Sequence, residues 1–135
     1  MTLVLCNGVF DLLHVGHIRH LEEARKMGDY LVVSVTMDDC VGKGKGRPIE
    51  PCEERMEKLR SLRCVSAVSM CKDAVQALEQ WKPDVFVKGH DYMAKGLRKD
   101  EVAYCKAHKV RIVHTKPSRH STGKLIERIK QCASA

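Results

Sequence analysis

Aromatic side chains are scarce in this sequence: Tyr, Phe and Trp contribute 3, 2 and 1 of its 135 residues. A core must therefore be assembled mainly from Val, Leu, Ile and Met. A surface that grips single-stranded nucleic acid by stacking bases on aromatic rings has little to build with. No apolar run approaches the roughly 20 residues that a membrane-spanning helix needs. The opening MTLVLCNGVFD also lacks the basic start and apolar stretch of a signal peptide. Both gaps lead us to expect a cytoplasmic protein with no membrane partner. Paired cysteine motifs are missing too. The seven Cys (Cys6, Cys40, Cys52, Cys64, Cys71, Cys105 and Cys132) are odd in number and show no C-x-x-C or zinc-type spacing. They read as reduced thiols in a reducing compartment. Acidic residues are outnumbered 17 to 24 by Lys and Arg, which leaves a formal net charge of +7. That balance favours an anionic partner. A nucleic-acid-binding module is one reading, but it has only this charge behind it, with no recognised binding motif.

What is present is an alternation of short apolar runs with helical periodicity. Strands are expected at Leu3–Cys6, Tyr30–Val35, Val65–Met70, Asp84–Lys88 and Val110–His114. Helices are expected at Val15–Met27, from Pro51 through Leu62, at Ala74–Trp81, at Leu97–Ala107 and at Ser121–Lys130. Pro51 suits a first helical position, and Glu53 and Glu54 suit the positive end of a helix. Met37 to Glu50 is polar and glycine-rich and reads as a loop. This order calls for an α/β fold: a Rossmann-like, doubly wound, parallel five-stranded sheet with helices on both faces, within one domain over residues 1–135. Ligands of such sheets bind beyond the carboxyl ends of the strands, where the strand order reverses.

The first strand runs directly into NGVFDLLHVGH. Gly8 permits a tight turn, His14 and His17 share one face of the following helix, and Gly16 between them removes a side chain that would block a close ligand. Free helix N–H groups favour a phosphate there, and two imidazoles can donate to oxygens that gain charge during phosphoryl transfer. A chance pair, or half of a metal site with Asp11 as the local third ligand, is the duller reading. Near the other end, SRHSTGKLIERI sets Ser121 and Thr122, both good N-cap residues, at the start of the last helix with Arg119 beside them. Lys43, Lys45 and Arg47 sit on the glycine-flexible GKGKGRP stretch, placed to swing over phosphates or simply to be solvated. Lys88, Gly89 and Asp91 follow a strand, where glycine allows close backbone approach and Asp91 can accept hydrogen bonds from a base or ribose.

The pattern G-x-F-D-x-x-H-x-G-H, present as Gly8, Phe10, Asp11, His14, Gly16 and His17, resembles the signature of the HxGH nucleotidyltransferase superfamily, cytidylyltransferase-like family. The Ser121-Thr122 stretch resembles that family's triphosphate-contacting element near the C-terminus. RPIEPCEERM and VKGHDY are similar to segments of heptose-1-phosphate adenylyltransferases, with His90 departing from the usual glycine. The opening GVFDLLHVGH equally fits glycerol-3-phosphate cytidylyltransferases. The resemblance implies transfer of a nucleoside monophosphate from ATP or CTP to a phosphorylated small molecule, with release of pyrophosphate. It implies His14, His17, Lys45 and Arg119 as catalytic residues. Gly8, Val9, Phe10, Asp11, Gly16, Lys43, Lys88, Gly89, Asp91, Ser121 and Thr122 would bind the nucleotide. Asp11 and Arg55 would meet the acceptor, unless Arg55 merely forms a salt bridge on the helix surface. It further implies Mg2+ held mainly by phosphates and water, without a cage of protein side chains, and a homodimer that binds no nucleic acid.

Overall fold

In the computed structural model the chain is described over residues 1–90, Met93 and residues 96–134. Five parallel strands, β1 (Leu3–Gly8), β2 (Tyr30–Thr36), β3 (Ala67–Cys71), β4 (Val85–Lys88) and β5 (Arg111–His114), form one sheet. Among the described residues they alternate with the helices α1 (Val15–Arg25), α2 (Cys52–Arg60), α3 (Ala74–Trp81), α4 (Lys99–Ala107) and α5 (Thr122–Ser134). The sheet order is β3-β2-β1-β4-β5. The chain therefore steps outward from β1 to β3, returns to the other side of β1, and steps outward again. The reversal lies between β1 and β4, which pair Val4 with Val85 and Cys6 with Val87.

Strand residues alternate between two cores, as the two-residue period of a strand requires. Val4, Cys6, Leu31, Val33, Val85 and Val87 pack with Leu21 and Ala24 of α1 and with Met56 and Leu59 of α2. Leu5, Val32 and Phe86 pack with Ala77 and Leu78 of α3 and Cys105 of α4. Each such Val, Leu or Phe contributes roughly 1.5–3 kcal/mol by burial. No helix among the described residues is long and apolar enough to cross a membrane, and the seven cysteines are free.

Several element boundaries differ from the sequence reading, each for a local reason. β3 begins at Ala67 because the Val65 amide closes a turn onto the Leu62 carbonyl. Helix α2 stops at Arg60, and Ser61 and Leu62 finish it with tightened bonds to Lys58 and Leu59. Pro51 is the N-cap of α2, one residue outside the helix. In α4 the Glu101 carboxylate accepts from the Arg98 amide at 3.0 Å, which fixes the start two residues after Leu97. The long 37–50 loop holds one 3-10 turn at Asp38–Cys40.

Candidate active site

The link from β1 to α1 is strained and firmly held. Phe10 and Leu12 have φ of 53° and 49°, a region that side-chain-bearing residues seldom occupy unless their surroundings impose it. Three anchors impose it. The buried Phe10 ring lies over Gly8 so closely that a Cβ there would sit 3.0 Å from the ring. The buried Asp11 carboxylate accepts from the Ile49 amide (2.8 Å), the Glu50 amide (3.0 Å) and Arg47 Nε (2.9 Å). The Asp11 carbonyl accepts from the Thr122 hydroxyl at 2.8 Å. Burial alone would raise the Asp11 carboxyl, but the two amides and the guanidinium outweigh it and hold the group below its usual range.

His14 and His17 cap their own helix. His14 Nδ1 accepts from the Gly16 amide (3.1 Å) and the His17 amide (3.4 Å), and His17 Nδ1 accepts from the His14 amide (3.2 Å). Two histidines thus do the work usually done by Ser and Glu in a capping box. Because backbone N–H groups point at both Nδ1 atoms, we assign the proton of each neutral ring to Nε2. The rings stack with centroids 3.7 Å apart. Burial, then His14, His20 and Lys43, push His17 down to about 3, partly offset by Asp11. Burial and His120 push His14 down as well. Both imidazoles are therefore neutral donors at neutral pH.

Stability should follow from that shift. An unfolded His17 takes up its proton near pH 6.5, while the folded one waits until about pH 3. Within that window the unfolded chain binds more protons, so stability is full above it and falls as the pH drops through it. We expect the melting temperature to decline between pH 7 and pH 4, and to decline less steeply in His17→Asn. Parallel lines for the two proteins would remove this assignment.

The opposite wall comes from the segment between β5 and α5. Ser121 Oγ accepts from the Lys124 amide at 3.1 Å and the Ser121 carbonyl accepts from the Leu125 amide, which leaves the Thr122 and Gly123 amides for a ligand. Gly16 is where the walls meet. A Cβ on it would lie 2.9 Å from His120 Cβ and 2.9 Å from His14 Cε1. The sequence suggested that Gly16 clears room for a ligand; the structure shows it clearing room for His120 and the His14 ring. Gly16→Ala should push the two helix beginnings apart. We expect a loss of about 1–3 kcal/mol in urea unfolding, as overpacking commonly costs. An unchanged unfolding midpoint would contradict the contact.

Between these walls, above β1 and β4, lies an open cleft of about 880 Å³. Of the residues singled out in the sequence, Gly8, Val9, Phe10, His14, Gly16, His17, Lys43, Gly89, Arg119, Ser121 and Thr122 line it, as does Arg47. A Cβ on Gly89 would meet nothing within 4 Å. Lys45 is exposed on the same loop but outside the lining. Asp91 lies outside the described residues.

Three of the expected contacts have other partners. Asp11 spends its carboxylate on the 47–50 backbone and Arg47. Lys88 is buried, with its ammonium 3.7 Å from Glu101 of α4; burial lowers its pKa, and Glu101 partly restores it. Arg55 does form a salt bridge, to Asp38, but from a side chain with no exposure rather than on the helix surface. It donates to the Val9 carbonyl (2.8 Å), the Glu50 carbonyl (2.9 Å) and Asp38 Oδ1 (2.6 Å), binding the 38–50 loop to the end of β1. The sequence reading passed over His20, Thr115 and His120, which also line the cleft. His20 was marked only by its spacing of three residues from His17.

The parallel sheet with helices on both faces, and a cleft at its strand reversal walled by two helix beginnings, defines a Rossmann-like α/β protein. A family model described as cytidylyltransferase-like matches residues 5–130, and the chain belongs to that family of nucleotidyltransferases. It is 46% identical over 100 residues to the bifunctional protein HldE of Streptomyces coelicolor, covering 71% of this chain and 22% of that one. It is 39% identical over 133 residues to HldE of Helicobacter hepaticus, covering 96% and 27%. The chain thus spans about a quarter of the length of these curated relatives. Among solved structures, the lipopolysaccharide core biosynthesis protein from Thermoplasma volcanium superposes with a TM-score of 0.72 at 30% identity, over 87% of this chain and 98% of that one.

Proposed function

We propose that the protein transfers an adenylyl group from ATP to a heptose 1-phosphate and releases pyrophosphate. The observation that carries this reading is the meeting of two helix beginnings at one cleft. One bears a stacked imidazole pair whose Nε2–H groups are left over from capping. The other bears amides and the Ser121 hydroxyl. The choice of a heptose acceptor rests on the Arg47–Met56 and Val87–Tyr92 segments and on the HldE relatives.

In the proposed reaction an oxygen of the acceptor phosphate attacks the α-phosphorus in line, and the bond from that phosphorus to the bridging oxygen breaks. The protein acts by position and charge rather than by a covalent intermediate. His14 and His17 donate from Nε2 to the α-phosphate and bridging oxygens. Arg119, the Ser121 hydroxyl, the Thr122 and Gly123 amides, and Lys43 or Lys45 from the basic loop hold the β- and γ-phosphates. Asp11, Lys88 and Arg55 position the segments that carry these groups. Among the described residues lining the cleft, Glu23 is the one carboxylate, beside imidazoles, hydroxyls and cations. That donor set suits phosphate oxygens, so a magnesium ion would be carried in on the triphosphate and water and would neutralise its charge. We further propose that the 135 residues act as one transferase domain, in a cytoplasmic homodimer.

Pyrophosphate release from ATP or CTP, measured against a panel containing heptose 1-phosphates and glycerol 3-phosphate, tests the reading. Release with ATP and a heptose 1-phosphate supports it. Release only with CTP and glycerol 3-phosphate replaces it, and no release with any pair removes it.

A further inference from the structure

His20 stands one helical turn beyond His17 on α1, with its ring packed into the cleft wall. Its Nδ1 lies 2.7 Å from the hydroxyl of Thr115, just past the end of β5. No residue among those described takes its Nε2, so any polar contact it makes with a ligand runs through that atom. His14 and His17 divide their nitrogens the same way, Nδ1 to the protein and Nε2 to the cleft. His17 and His20 follow one another on one helical face with a rise of about 4.5 Å, and His14, the N-cap, stacks on His17 just before them.

The surroundings change along these three rings. Beside His14 and His17 stand the capped beginning of α1 and the beginning of α5, with the Thr122 and Gly123 amides of α5 left for a ligand. Beside His20 stand the Thr115 hydroxyl and the half-buried Glu23, whose Oε2 accepts from the Lys116 amide at 3.1 Å. Lys88 lies below, beside Glu101, and Arg19 and Lys116 are exposed at the rim. Burial keeps the His20 ring neutral, with Glu23 offsetting this in part. A neutral ring, a hydroxyl and a carboxylate suit hydroxyl and amino groups better than a further phosphate.

We propose that His20 hydrogen-bonds through Nε2 to the nucleoside part of the bound triphosphate, at its ribose hydroxyls or base edge, and so sets nucleotide affinity. This rests on the nucleotidyl-transfer reading above. His20→Asn keeps an amide near the Nδ1 position for Thr115 and removes the outer nitrogen. Calorimetric titration of the full chain with ATP, and separately with inorganic tripolyphosphate, compares it with the parent. The expected result is about tenfold weaker ATP binding, the size of one lost hydrogen bond, with tripolyphosphate binding unchanged. Equal loss for both ligands, or no loss for ATP, would overturn the proposal. NMR of labelled histidine nitrogens in the parent chain needs no variant. ATP should shift His20 Nε2 and tripolyphosphate should not, and a shift with both or with neither overturns the assignment. A parent chain that binds no nucleoside triphosphate would instead sink the transfer reading itself.

Discussion

His17→Asn is expected to lower turnover by about 10²-fold or more, as the loss of one preorganised donor commonly does, while leaving the melting temperature at neutral pH close to that of the parent. The two outcomes separate because the two ring nitrogens have separate tasks. Nδ1 accepts from the His14 amide and closes the capping box of α1. An asparagine carbonyl reaches the same amide, so the helix keeps its cap. In the proposed reaction Nε2–H is the donor to the transferring phosphate, and asparagine has nothing at that distance. His17→Gln reverses the exchange: it restores a donor near Nε2 and gives up the cap. It should therefore retain more activity than the asparagine variant at a lower melting temperature. Steady-state pyrophosphate release and thermal unfolding on the same preparations decide the matter. Near-parental turnover in His17→Asn would remove His17 from the chemistry.

Asp11→Ala is expected to cost about 3–5 kcal/mol of stability, the range for breaking one side of a buried ion pair, and to abolish turnover. The carboxylate is 1% exposed and satisfies two backbone amides and a guanidinium. Arg47 already has one buried nitrogen, Nη2, without a partner among the described residues. Removing Asp11 would take the acceptor from Nε of the same guanidinium as well. The 41–50 loop, which brings Lys43 to the cleft, would lose its hold on the β1–α1 link. Asp11→Asn should recover part of the loss, because one amide oxygen can still accept but the charge is gone. Urea unfolding gives the stability change. A loss under about 1 kcal/mol, the size of an exposed pair, would show that the carboxylate is not the anchor described.

The order of elements was legible in the sequence because it depends on local signals. Tyr30–Val35 is a β-branched run that only a strand buried on both faces accommodates, and Gly28-Asp29 and Lys82-Pro83 interrupt the helices before them. The His14–His17 pair was legible through its spacing, and Ser121–Thr122 through capping preference. The partners of Asp11, Arg55 and Lys88 were not legible. Each is satisfied by groups distant along the chain, and side-chain spacing carries no information about which loop folds over which. Arg55 looked like a surface residue because arginine usually is one. Its burial follows from the carbonyls of Val9 and Glu50 meeting above α2, a tertiary fact. Gly16 was noticed for close approach, but its neighbour His120 was not legible, because that residue belongs to the far end of the sequence.

The bond from the Thr122 hydroxyl to the Asp11 carbonyl joins residues separated by 111 positions. Closing so long a loop carries an entropic cost that local contacts do not, and a chain emerging from the ribosome lacks Thr122 until nearly everything before it has been made. The sheet can therefore pair β1, β2 and β3 early in synthesis, whereas the two-walled cleft is completed only when the final helix docks. The cleft is then assembled later than the sheet beneath it, and a nascent chain that has built most of its hydrophobic interior still lacks the second wall of the site.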